Sequence, residues 1–82
     1  MKTNMTGDKI LQPGDDIWAF FSENYGVEQG EEINASGLQL DPNFGWCCTL
    51  QDENFNEVQA HDFPDYNQLS QWLVDQGIYV GE

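Results

Sequence analysis

Hydrophobic and polar positions alternate most regularly between Phe44 and Leu50. Phe44, Trp46, Cys48 and Leu50 fall on one side of a period of two, with Gly45, Cys47 and Thr49 between them, the pattern of a half-buried strand. The turn formers Asp52-Glu53-Asn54-Phe55-Asn56 follow, and Glu57 to Phe63 can return antiparallel. The period then changes. Asp65 is placed to cap a helix whose stripe is Tyr66, Leu69, Trp72 and Leu73, with Gln68 at capping-box spacing and Gly77 as terminator. This strand–turn–strand–helix unit, Phe44 to Gly77, is expected to supply most of the core.

Upstream, Pro13-Gly14 marks a turn and Asp15 is expected to cap a first helix, with Asp16 in its first turn. Ile17, Phe20 and Phe21 form its apolar stripe, Trp18 and Tyr25 flank it, and Gly26 ends it. Val27 to Glu32 reads as an acidic loop. Ile33 to Leu40 reads as a strand interrupted at Ser36-Gly37 by a bulge or tight turn, and Asp41-Pro42-Asn43 as a turn. Lys9 to Gln12 is a short strand or an apolar lid, and Ile78-Tyr79-Val80 can add an edge strand. Residues 1–9 are expected to fray. The order predicts a single α+β domain over residues 1–82: a small antiparallel sheet of three to four strands with two helices packed on one face. Phe20, Phe21, Trp46, Leu50, Leu69, Trp72 and Leu73 are the expected core.

Charge changes the picture. The 82 residues carry 15 Asp and Glu against two Lys and no Arg, a formal net charge of −13. Both lysines, Lys2 and Lys9, lie in the first nine residues, so internal ion pairs have almost no cation to use. Each remaining carboxylate must be solvated, act as a cap, or await a positive partner. Eleven aromatics (five Phe, three Trp, three Tyr) argue against a disordered acidic tail. No apolar run is long enough to span a membrane, and no signal-peptide core is visible, so the expected compartment is the cytoplasm. Cys47 and Cys48 are expected as free thiols on opposite strand faces.

Chemistry-bearing patterns are sparse. His61 is the single histidine, and a Cys–His pair with Cys47 or Cys48 lacks a nucleophile elbow, a phosphate loop or a basic substrate clamp. Asp52, Asn54 and Asn56 start like a calcium loop, but Glu57 and Phe63 stand where glycine and glutamate are required. No catalytic residue, metal or cofactor is expected. The carboxylates themselves are the remaining signal. Asp52, Glu53, Glu57, Asp62 and Asp65, five within positions 52–65, form the expected partner-binding surface on the best-ordered unit. Glu28, Glu31 and Glu32, with Trp18 and Tyr25 as aromatic anchors, form a secondary one. Same-face side chains repeat at roughly 6.6–6.8 Å along a strand, the scale of neighbouring phosphates.

In size, acidity and α+β order, and in the passage from the Glu57 strand through Asp62-Phe63 into the helix of Leu69, Trp72 and Leu73, the chain resembles the small acidic anti-defence proteins of phages and mobile elements. These include DNA-mimic inhibitors and anti-CRISPR proteins. The resemblance implies stoichiometric inhibition of a basic, nucleic-acid-binding partner, with no direct contact to nucleic acid or membrane, and it assigns no individual residue. Two other readings fit the same charge: an immunity protein or antitoxin neutralising a basic nuclease toxin, and an acidic interaction module of a host complex.

Overall fold

The computed structural model describes residues 10–80. Its elements are β1 (Ile10–Leu11), α1 (Ile17–Tyr25), β2 (Ile33–Asp41), β3 (Gly45–Asp52), β4 (Glu57–Phe63), α2 (Tyr66–Asp75) and β5 (Tyr79–Val80). The strands make one five-stranded sheet in the order β1-β4-β3-β2-β5. The middle three are antiparallel neighbours, whereas β1 lies parallel to β4 and β5 parallel to β2. The fold is therefore α+β as expected, but the sheet is mixed and has five strands. The edge strands β1 and β5 fall within the runs Lys9–Gln12 and Ile78–Val80 that could each form a strand; that both join the sheet, and in parallel, departs from the expected antiparallel sheet. The expected fraying of residues 1–9, and Lys9 as a strand residue, lie outside the described residues.

Local chemistry fixes the elements. Asp65 accepts from the backbone N–H of Gln68 at 2.8 Å and starts α2 as its spacing predicts. For α1 the cap is Asp16, not Asp15: its carboxylate takes the Ala19 N–H at 3.1 Å. Asp15 instead accepts from the Gln12 N–H at 2.8 Å and closes the turn before the helix. Gly26 ends α1 at φ 70, where a residue without Cβ meets least strain.

Both neighbours of β3 carry a bulge. Gly37-Leu38 on β2 stands against Cys48, and His61-Asp62 on β4 stands against Cys47. Gly37 and Asp62 both have positive φ, 67 and 73. The Ser36-Gly37 interruption is thus a bulge and the strand continues through it.

One face of the sheet packs on the helices. The core joins Leu11, Ile17, Phe21, Ile33, Ala35, Cys48, Leu50, Val58, Ala60, Phe63, Leu69, Trp72 and Leu73, with Val27 and Ile78 closing its margin. Of the expected core, Phe20 and Trp46 are only partly buried. Phe20 sits edge-on to Phe21 at 5.8 Å, and Trp46 packs edge-on to the exposed Tyr66 at 5.6 Å. Phe44, expected on the inner face of the strand, precedes it and is exposed, stacking on His61 at 4.7 Å. The opposite face of the sheet is free of helices and presents mostly neutral groups, among them Asn34, Ser36, Gln39, Thr49 and Gln59.

Candidate partner-binding cleft

The five carboxylates expected to act together are not one surface. Asp52 is buried, 5% exposed, although a turn position was expected to face solvent. Its Oδ1 accepts from the N–H groups of Asn54 (2.8 Å) and Asn56 (2.9 Å), and its Oδ2 from Asn56 Nδ2 (2.9 Å). It closes the β3–β4 hairpin, forcing Phe55 to φ 67 with its ring exposed, and has no face for a partner. The remaining four are exposed but split. Glu53 and Glu57 lie at the hairpin end of β4, Asp62 near its other end and Asp65 just beyond it, roughly 16 Å along the strand from Glu57 to Asp62. Asp62 accepts from Gln12 Nε2 at 2.6 Å, Asp65 caps α2, and Glu57 accepts from Gln51 Nε2 at 3.1 Å.

The fold instead joins part of the first set to part of the second. Glu53 reaches across to the loop after α1 and accepts from the Glu32 N–H at 3.1 Å. Glu31, Glu32 and Glu53 then border a cleft of about 430 Å³, with Trp18, Gln76 and Tyr79 in its walls. Trp18 is partly buried and its ring is fixed, because Nε1 donates to the Gln76 carbonyl at 2.6 Å. Tyr79 is exposed. Glu28 is exposed and does not line the cleft; its N–H donates to Glu31 Oε2 at 3.2 Å. Tyr25 does not reach the cleft walls. It packs against Phe20 and Phe21 at 6.1 and 5.4 Å and serves the core.

Comparison with known protein families, curated proteins and solved structures gives no match.

The thiols are buried rather than poised. Cys48 lies in the core, where burial and then the neighbouring Cys47 push its pKa up to about 12. Cys47 lies on the other face, its Sγ directed at the Gln39 carbonyl at 3.6 Å, and burial, then the Asp41 carboxylate, raise its pKa. A nucleophilic thiol needs the opposite shift. Among the described residues no group of three His, Cys, Asp or Glu side chains is placed to hold a metal ion, and no helix is long and apolar enough to cross a membrane.

Sequence reasoning missed Gln76 and Tyr79 as cleft residues. Tyr79 carried a weak signal, an aromatic in a β-prone run. Gln76 carried none, since a glutamine before a helix-ending glycine is ordinary.

Proposed function

We propose that this chain is a non-enzymatic acidic protein that binds and inhibits a basic, nucleic-acid-binding partner in the manner of a DNA mimic, of the anti-CRISPR or anti-restriction type. One observation carries the reading. Most of the carboxylates among residues 10–80 are tethered to the scaffold by hydrogen bonds, while those residues contain no lysine or arginine to neutralise them. Glu53 is bound to the Glu32 N–H, Asp16 and Asp65 to helix N-termini, and Asp62 to Gln12. Charges held in place lower the ordering cost of association and steer a positive partner inward. The host cytoplasm is where such a partner works.

The test is capture from host lysate at low salt, elution by a salt gradient, and competition with duplex DNA. The expected result is a nucleic-acid-binding protein that elutes as salt rises and is displaced by DNA. A partner indifferent to both salt and DNA overturns the reading, and a nuclease toxin captured under the same conditions replaces it with an immunity role.

A further inference from the structure

Adjoining this cleft lies a second depression, of about 380 Å³, bordered by Asp15, Asp16 and Asp75. It shares Trp18, Gln29 and Gln76 with the first cleft as a common wall. We propose that the two depressions form one groove for an extended basic segment of a partner protein. An arginine of that segment stacks on the Trp18 indole and pairs with Glu31, Glu32 and Glu53, while a second cationic side chain enters between Asp15, Asp16 and Asp75. This deepens the function proposed above and rests on it.

The aromatic wall distinguishes this groove from the other acidic surface. Beside Asp62 and Asp65 the exposed rings, Phe44 and Tyr66, are already engaged by His61 and Trp46. Here the indole edge is already satisfied by the Gln76 carbonyl, so the ring cannot swing and what it offers a ligand is its π-face. Tyr79 adds a second exposed ring. A fixed indole beside carboxylates suits a guanidinium, which is planar, stacks on aromatic faces and binds carboxylates bidentately. The carboxylates retain capacity for it. Asp16 and Asp75 each use Oδ1 within the chain, to the Ala19 N–H and to Gln71 Nε2, and an ionised carboxylate offers about four lone-pair sites. The volume fits a side chain and not just a bare ion, since each depression equals roughly a dozen water volumes. An extended segment fits the two-lobed form, because its alternate side chains lie roughly 6.5–7 Å apart on one side. The occupant must bring its own charge, as the described chain has no lysine or arginine to supply it.

The probe is a synthetic Gly-Arg-Gly-Arg-Gly amide, titrated at low salt into the full chain and followed by the tryptophan indole and tyrosine ring resonances. The Trp18 and Tyr79 signals should shift in a saturable way while Trp46 stays still. The combined Glu31→Gln, Glu32→Gln and Glu53→Gln variant should weaken the peptide by about three- to tenfold or more, as loss of several partly exposed ion pairs predicts. These are exposed positions, so the fold persists. Spermine producing the same shifts at equal affinity overturns the peptide assignment, because the groove then collects cations of any shape. Shifts centred on Asp62 and Asp65, or an unweakened triple variant, overturn the groove yet leave a basic-partner function standing. Loss of DNA-competable capture by the wild-type chain is the separate result that removes the function itself.

Discussion

The side-chain amide of Gln76 grips the backbone on both sides of the α1 cap: its Oε1 accepts from the Ile17 N–H at 2.7 Å and its Nε2 donates to the Asp15 carbonyl at 3.0 Å. Trp72 Nε1 donates to the same carbonyl at 3.0 Å, and Trp18 Nε1 returns a bond to the Gln76 backbone. Four hydrogen bonds thus tie the start of the first helix to the end of the second, and Trp18 is held by one of them. Gln76→Ala should cost about 1–3 kcal/mol, since the Ile17 N–H loses its partner in a partly buried place. Urea unfolding measures it, and a midpoint within error of wild type would show that the helices hold each other through apolar packing alone.

A second expectation concerns the hairpin. Asp52→Ala removes three hydrogen bonds made by a buried carboxylate and should destabilise by about 1–3 kcal/mol, whereas Glu53→Ala, exposed in the same turn, should change stability little. Thermal melts of the two variants decide it. The practical point is that contact with a partner is to be probed at Glu53 or Glu57, because a defect at Asp52 reports the fold.

The thiols give a pH dependence. Cys48 ionises near 8.5 when unfolded and only at about 12 when folded. Between these values the folded chain holds a proton that the unfolded chain has released, so stability is complete below about pH 8.5 and falls as pH rises. Cys47, also raised, acts in the same direction. The melting temperature should decline above about pH 8.5, and the decline should flatten in the Cys47→Ala, Cys48→Ala double variant even though that variant melts lower throughout. A slope unchanged by the double substitution assigns the alkaline loss to other groups.

Salt should stabilise the fold. Carboxylates without lysine or arginine among residues 10–80 repel one another, and the screening length falls from about 30 to about 3 Å between about 0.01 M and 1 M salt. A melting temperature that rises with sodium chloride over this range is the expected result, and one that stays flat or falls refutes net repulsion.

Helix α2 was the most legible part of the sequence because cap, stripe and terminator coincide in a short window: Asp65, the Leu69–Trp72–Leu73 stripe and Gly77 all serve as their spacing indicates. Strands β3 and β4 were legible for the same local reason. The edges β1 and β5 were legible as short β-prone runs, but their parallel pairing was not, since it depends on the neighbour that accepts each. The candidate site was half legible. Its residue types were visible as carboxylates and an aromatic anchor, but which of them meet depends on contacts between distant positions. The Glu53–Glu32 bond spans 21 residues and the Trp18–Gln76 bond 58. Asp52 misled because a surface turn and a buried Asx cap have the same composition. The difference is whether Asn54 and Asn56 turn their N–H groups inward.

The two bulges are a single event seen from both sides. Against either neighbour, β3 is one residue short, and at the same level: Cys47 faces two residues of β4 and Cys48 two of β2. One residue inserted between the cysteines would regularise both ladders together, with Leu50 still opposite Ala35 and Val58, and would reverse the faces of Trp46 and Cys47 relative to Cys48 and Leu50, because alternation has a step of one. The vicinal cysteines therefore mark the sheet's phase boundary. At this waist the three strands can be edited only in concert.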